Sequence, residues 1–183
     1  MSRFEPSIRW QTIGNGANKT YLIGSVMGVF EYRQAEEIRD VFARHGIRFL
    51  FIGKSGAILL GFPDTTQDAD LYVEKKEGNC RALILALREL NFSLSDQQAA
   101  EIEQGKDFVQ LKNGPFDLDL IFAPDGIEQF QDAWQRHVNV EGFPVCHIDD
   151  IIASKAAAGR QRDLESLPRL RSFREYWIRQ HPS

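Results

Sequence analysis

Two stretches of the chain each carry a pair of carboxylates at i, i+2 spacing: Asp68 and Asp70 in DADLYV, and Asp117 and Asp119 in FDLDLIF. If both stretches are strands, each pair projects from one face, because side chains alternate sides along a strand. Carboxylates brought together repel by roughly 1 kcal/mol per pair at 4 Å in water and about 4 kcal/mol at an effective dielectric near 20. Three of them on adjacent strands therefore call for a cation, and an all-oxygen ligand set favours Mg²⁺ or Mn²⁺ shared with substrate phosphates. Such a centre suits in-line displacement at phosphorus, with a nearby carboxylate taking the proton of an acceptor hydroxyl.

The elements that must position these acids can be read from the same region. Ile47 to Ile52 reads as a buried strand, the glycine turn Gly53-Lys54-Ser55-Gly56 leads into a short apolar helix, and Asp68 to Val73 reads as the next strand. The turn permits close backbone approach, and the helix start after it offers N–H groups to an anion. Gly53-Lys54-Ser55 is not the end of a P-loop, since the earlier glycine that motif requires is Arg48 here. Plainer readings stand beside these. Asp68 and Asp70 could be a solvated strand edge, and Asp117 exposed or paired with an arginine. Lys155 could simply snorkel from a core stripe to water.

Upstream, Ala35, Ile38, Val41 and Phe42 share one face of a helix predicted over residues 31–45 and closed by Gly46. Downstream, Asn79 is placed to cap a helix whose stripe is Cys80, Leu83, Ile84 and Leu87. Residues 93–105 are a helical turn or a loop. Two strands, 107–111 and 116–122, are joined by Lys112-Asn113-Gly114-Pro115, where Asn-Gly signals a hairpin. A helix over 127–134 and an extended piece around 138–145 follow. From Ile148 the chain is helical, with Ile148, Ile151 and Ile152 on a stripe that Lys155 and Gly159 extend, and Pro168 predicts a break or a new helix start. Six arginines lie between Arg160 and Arg179 in a chain of net charge -4, either a solvated face paired with Glu165 and Glu175 or a basic patch. Residues 1–30 are less legible, apart from a turn at Asn15-Gly16.

Composition bounds the class. With 183 residues, 43% of them hydrophobic and 11% aromatic, the chain can bury one sizeable core. No apolar run reaches the roughly 18 residues of a membrane span, and MSRFEPSIRW lacks the apolar segment of a signal peptide, so a soluble, cytoplasmic protein is expected. Cys80 and Cys146 have no metal-ligand spacing and read as reduced, buried thiols.

The order glycine turn, short helix, Gly61-Phe62-Pro63, Thr66, Asp68-Ala69-Asp70 and a later strand acid resembles the nucleotidyltransferase superfamily typified by DNA polymerase beta, in its small bacterial branch. Lys155-Ala-Ala-Ala-Gly159-Arg160 with Asp163 beyond resembles the helix that follows the catalytic sheet there. The resemblance spans about residues 31–170. It implies an α/β (α+β) fold, a small mixed sheet flanked by helices, with an N-terminal segment (1–30), a core (31–147) and a C-terminal helical segment (148–183). It implies Asp68 and Asp70 as metal ligands and Asp119, followed by Leu120 and Ile121, as the third ligand and general base. Gly53, Lys54 and Ser55 would approach the triphosphate, and Lys155 and Arg160 would neutralise phosphate or orient the nucleotide. The implied reaction is Mg²⁺- or Mn²⁺-dependent transfer of a nucleoside monophosphate from an NTP to a hydroxyl of RNA, protein or a small molecule. Bacterial toxins with antitoxin partners share the architecture, and a binding module that has lost catalysis is the alternative. Two positions depart from the pattern: Lys54 replaces a small residue, and Asp64 stands where a basic residue is common, so that it would repel phosphate.

Overall fold

The structure, a computed structural model, describes residues 29–182. The predicted Asn15-Gly16 turn lies outside the described residues. The chain begins its regular structure with helix α1 (Tyr32–Arg44), which buries the predicted face of Ala35, Ile38, Val41 and Phe42 and is closed by Gly46 at φ 65°. It leads into strand β1 (Phe49–Phe51), helix α2 (Gly53–Leu59) and strand β2 (Asp68–Val73). Two helices, α3 (Glu77–Glu89) and α4 (Asp96–Glu103), precede the strands β3 (Phe108–Leu111) and β4 (Asp117–Ile121). Helix α5 (Phe130–Arg136), strands β5 (Val138–Val140) and β6 (Phe143–Val145), and helices α6 (Ile148–Ala158) and α7 (Gln161–Gln180) complete the described chain.

The strands form one mixed sheet in the order β3-β4-β2-β1-β6-β5. Strand β2 is antiparallel to β1 and parallel to β4, while β6 is parallel to β1. The central strands bury apolar side chains between them, with Phe51, Leu71, Leu118 and Leu120 inaccessible to solvent. Side chains of this kind contribute about 1.5–3 kcal/mol each on burial, so the sheet centre is the firmest part of the molecule. The site acids sit on these same strands, Asp68 and Asp70 on β2 and Asp119 on β4.

Several local expectations are corrected. The glycine turn is not a separate loop: Gly53 is already the first residue of α2, and Gly56 packs so closely that an added Cβ would lie 2.8 Å from the Phe51 carbonyl oxygen. Asn79 does not cap α3, which starts at Glu77. Its side chain instead accepts from the Arg48 amide at 2.8 Å and donates to the carbonyls of Arg48 and Glu74, stitching α3 to the ends of β1 and β2. Residues 93–105 resolve into α4, with Ser95 at its N-cap accepting from the Gln98 amide. The extended piece expected at 138–145 is present, as a hairpin of β5 and β6 turning at Glu141 and Gly142, both of positive φ. Helix α5 begins at Phe130, later than predicted.

Pro168 neither breaks α7 nor starts a new helix, since α7 runs through it from Gln161. The backbone bond it removes belongs to the carbonyl of Leu164, an exposed residue where water can substitute. Two of the six arginines of the tail, Arg169 and Arg174, have acidic partners among the described residues. Arg174 binds Asp149 and Glu175, and Arg169 reaches Asp64, whereas Glu165 accepts from Gln161 rather than from an arginine. Both cysteines are free and buried, as predicted. Among the described residues no helix is long and apolar enough to cross a membrane.

Candidate active site

The parallel register of β2 on β4 sets Asp68 beside Asp117 and Asp70 beside Asp119. Asp68, Asp70 and Asp119 each offer an oxygen, and these atoms all lie within 4.8 Å of one another. Asp117 is not part of that group. Neutral donors aim the carboxylates: Thr66 Oγ1 donates to Asp68 at 2.9 Å, and Gln110 Nε2 donates to Asp119 at 3.0 Å. None of the three acids forms an ion pair among the described residues.

Asp70 shows what this crowding costs. Burial, followed by the charges of Asp68 and Asp119, pushes its carboxyl up to about 7, against the opposing pull of Lys155 and the Lys54 amide. Asp119 is raised as well, first by burial and then by Asp68, while the Gln110 hydrogen bond, Lys112 and Arg162 pull the other way. Three carboxylate oxygens at this spacing fit a hard divalent cation, which would relieve the repulsion and displace the proton.

Helix α2 is fitted to Asp70. Gly53 has φ +62°, and a Cβ there would lie 2.5 Å from Asp70 Oδ2, so only glycine leaves room for that carboxylate. The Lys54 amide, at the helix start expected to meet a triphosphate, lies against Asp70 and favours its charged form. Ser55 is buried rather than facing the cleft. Its hydroxyl donates to the Ile52 carbonyl at 3.1 Å and accepts from the Asp70 amide at 2.9 Å, so it positions β2.

A cleft of about 640 Å³ opens over the acids and brings Gly53, Lys54, Lys155 and Arg160 to the same space. Lys155 Nζ is 2.9 Å from Asp163, and the Lys54 ammonium is 3.9 Å from Asp64. Asp64 is also 3.4 Å from Arg169. The predicted repulsion from Asp64 is therefore offset, because two cations already hold its charge. Sequence reading missed Gln110, Phe108 and Arg162, which line or shape the cleft. The Asn-Gly signal could not have found Gln110, because a tight turn there would set it across from Asp117, whereas the wider connection between Leu111 and Leu118 sets it across from Asp119.

No protein-family model matches the chain, and no curated protein matches it in sequence. Among solved structures, the fold is similar to that of the lincosamide antibiotic adenylyltransferase LnuA in its lincomycin-bound form. That match has a TM-score of 0.57 at 14% identity, over 79% of this chain and 98% of the other. It is also similar to a Thermotoga maritima protein assigned as a nucleotidyltransferase, with a TM-score of 0.50 at 18% identity, over 78% of this chain and 92% of the other. The chain thus has a mixed α/β, nucleotidyltransferase-like fold with a C-terminal helix.

Proposed function

We propose that the protein is a metal-dependent nucleotidyltransferase that moves a nucleoside monophosphate from an NTP to a hydroxyl acceptor. The observation that carries this reading is the convergence of Asp68, Asp70 and Asp119 at one cleft of a nucleotidyltransferase-like fold, with no ion pair to any of them among the described residues. Asp68, Asp70 and Asp119 would hold Mg²⁺ or Mn²⁺, whose chemistry is to stabilise charge on the attacking and leaving oxygens. Lys54, Lys155 and Arg160 would bind the triphosphate. Gly53 and Ser55 act through Asp70, the one by making room for its carboxylate and the other by fixing its backbone. Residues 31–147 serve as the core in this reading, and residues 148–183 close the cleft over it.

A lone pair of the acceptor oxygen forms the new bond to the α-phosphorus. The bond from that phosphorus to the bridging oxygen breaks with its electron pair, pyrophosphate leaves, and the hydroxyl proton passes to Asp119.

The test is thermal denaturation with Mg²⁺ or Mn²⁺ and each NTP, followed by transfer of labelled nucleotide into total cell RNA, protein or small molecules. A ligand at about 100 times its dissociation constant adds roughly 2.7 kcal/mol to stability, which such a measurement resolves. The shift should vanish in the Asp68→Asn, Asp70→Asn double variant. No shift with any NTP in the wild type sinks the proposal. Binding that survives the double substitution, without transfer, would favour a nucleotide-binding module that has lost catalysis.

A further inference from the structure

Two lysines at the cleft are held to different degrees. Lys155 is 2.9 Å from the buried Asp163. Lys54 has one partner among the described residues, Asp64 at 3.9 Å, beyond hydrogen-bond reach. Because Lys54 also lines the cleft, its ammonium is divided between that carboxylate and an anion that enters. Which side holds it depends on how far the charge of Asp64 is already neutralised.

Asp64 is gripped from the opposite direction. Its Oδ1 accepts from the Thr65 amide at 2.8 Å, and its Oδ2, the oxygen that faces Lys54, also faces Arg169 Nη1 at 3.4 Å. Arg169 stands on α7 and is itself anchored. Its Nη2 donates to the Pro63 carbonyl at 3.0 Å, and its guanidinium lies 5.1 Å from the centre of the Phe62 ring, which packs edge-on against Phe173 of the same helix. Arg169 lines a second groove, with Phe62, Phe173 and Tyr176, rather than the cleft over the acids. An effect of Arg169 on a ligand in the cleft therefore runs through Asp64 and Lys54.

We propose that Arg169 is a positioning residue for nucleotide binding: from α7 it neutralises Asp64, and so leaves the Lys54 ammonium to the triphosphate. The inference rests on the nucleotidyltransferase reading and adds to it a determinant of NTP affinity that lies outside the cleft. Two charges 4 Å apart interact about fourfold more strongly at the effective dielectric of a protein surface than in bulk water. Without Arg169, Asp64 draws Lys54 back and competes with the phosphates for it. The Arg169 side chain is 59% exposed, which keeps the effect moderate. Arg169 touches no reacting group, so the effect falls on KM and not on kcat.

The experiment uses the full chain with Mg²⁺ and labelled NTP, with Kd from thermal shift against NTP concentration and KM and kcat from initial rates. Arg169→Gln should raise Kd and KM roughly 3- to 10-fold with kcat unchanged. Adding Asp64→Asn to it should return both constants to within about twofold of the wild type, because the charge that competes for Lys54 is gone. A residue that only ties α7 to the loop gives no such rescue, since the second substitution removes the same contact. In a Lys54→Met background, Arg169→Gln should no longer change Kd. An undiminished effect there means that Asp64 repels phosphate directly, and overturns the route through Lys54. Should Arg169→Gln fail to fold, Asp64→Asn alone decides: NTP binding at least as tight as in the wild type supports the inference, and weaker binding overturns it. A wild type that shifts with NTP while Arg169→Gln has the same Kd, or while the double variant binds no better than Arg169→Gln, overturns the inference and leaves the transferase reading intact. A wild type with no nucleotide shift removes the premise and the inference with it.

Discussion

The two ends of strand β2 treat acids in opposite ways. At its C-terminal end Glu74 is buried and paired, 2.9 Å from Arg48 and 3.0 Å from Lys76. Arg48 is itself held over the Trp134 ring at 4.6 Å and donates to Gln131 at 3.0 Å. At the N-terminal end, Asp68 and Asp70 meet Asp119 with neutral donors only. The same contrast runs through the described residues, where the buried acids are Glu74, Asp119, Asp150 and Asp163. Asp150 has Arg136 at 2.8 Å and Asp163 has Lys155 at 2.9 Å, while Asp119 has no ion pair. A buried carboxylate kept for stability carries its cation within the fold. Those at the cleft are oriented by a hydroxyl and amides, which fix geometry without removing charge, and that charge is available to something from solution.

The comparison breaks first at Asp119. Asp119→Asn should slow nucleotidyl transfer by roughly 10²- to 10⁴-fold, the range of a positioned general base, in initial-rate assays with labelled NTP. Glu74→Gln should leave the rate unchanged, and a Glu74 variant as slow as the Asp119 variant would erase the functional distinction between the two ends.

The next effect is on pH dependence. The folded protein holds the Asp70 proton more tightly than the unfolded chain, at about 7 against an ordinary aspartate value of about 4. Stability from this group is therefore fully present below about pH 4 and is lost as pH rises to about 7. The loss is on the order of 4 kcal/mol, shared with the coupled acids around it. In metal-free buffer, urea unfolding of wild type and Asp70→Asn should diverge across this window, with the variant the more stable at pH 7. Saturating Mg²⁺ should close the gap, and parallel curves would show that burial and the neighbouring acids do not raise Asp70.

At the other end, Arg48→Ala strips Glu74 of its main cation and should cost roughly 2–4 kcal/mol, discounted from a fully buried pair because Arg48 is partly exposed. The metal-dependent thermal shift should survive it. Smallest is Ser55→Ala, which leaves the Asp70 amide without its acceptor and should cost about 1–3 kcal/mol. A measurable loss of transfer activity alongside it would show that fixing the Asp70 backbone matters to the reaction.

Local pattern made much of this legible. The β2 boundaries, the face of α1 and the β3–β4 hairpin follow from periodicity and turn residues, signals that reside in neighbouring positions. The acids were legible because i, i+2 on a strand means one face in any fold. Other residues were opaque because their meaning depends on remote partners. Ser55 reads as a loop hydroxyl until β2 is laid beside it, and Asn79 reads as a cap until Arg48 arrives. Asp64 reads as a repulsive charge until Arg169 of α7 reaches back to it. Pro168 reads as a stop because the expectation omits that its orphaned carbonyl can be left to water.

The sequence by itself determined that β2 and β4 each carry two acids on one side, because alternation is a property of the strand backbone alone. Only the tertiary structure decided that the two sides meet. The parallel register setting Asp70 against Asp119, and the pairing of Arg48 with Glu74, join segments remote in the chain. Such pairings are selected by how the whole core packs, and no local pattern encodes them.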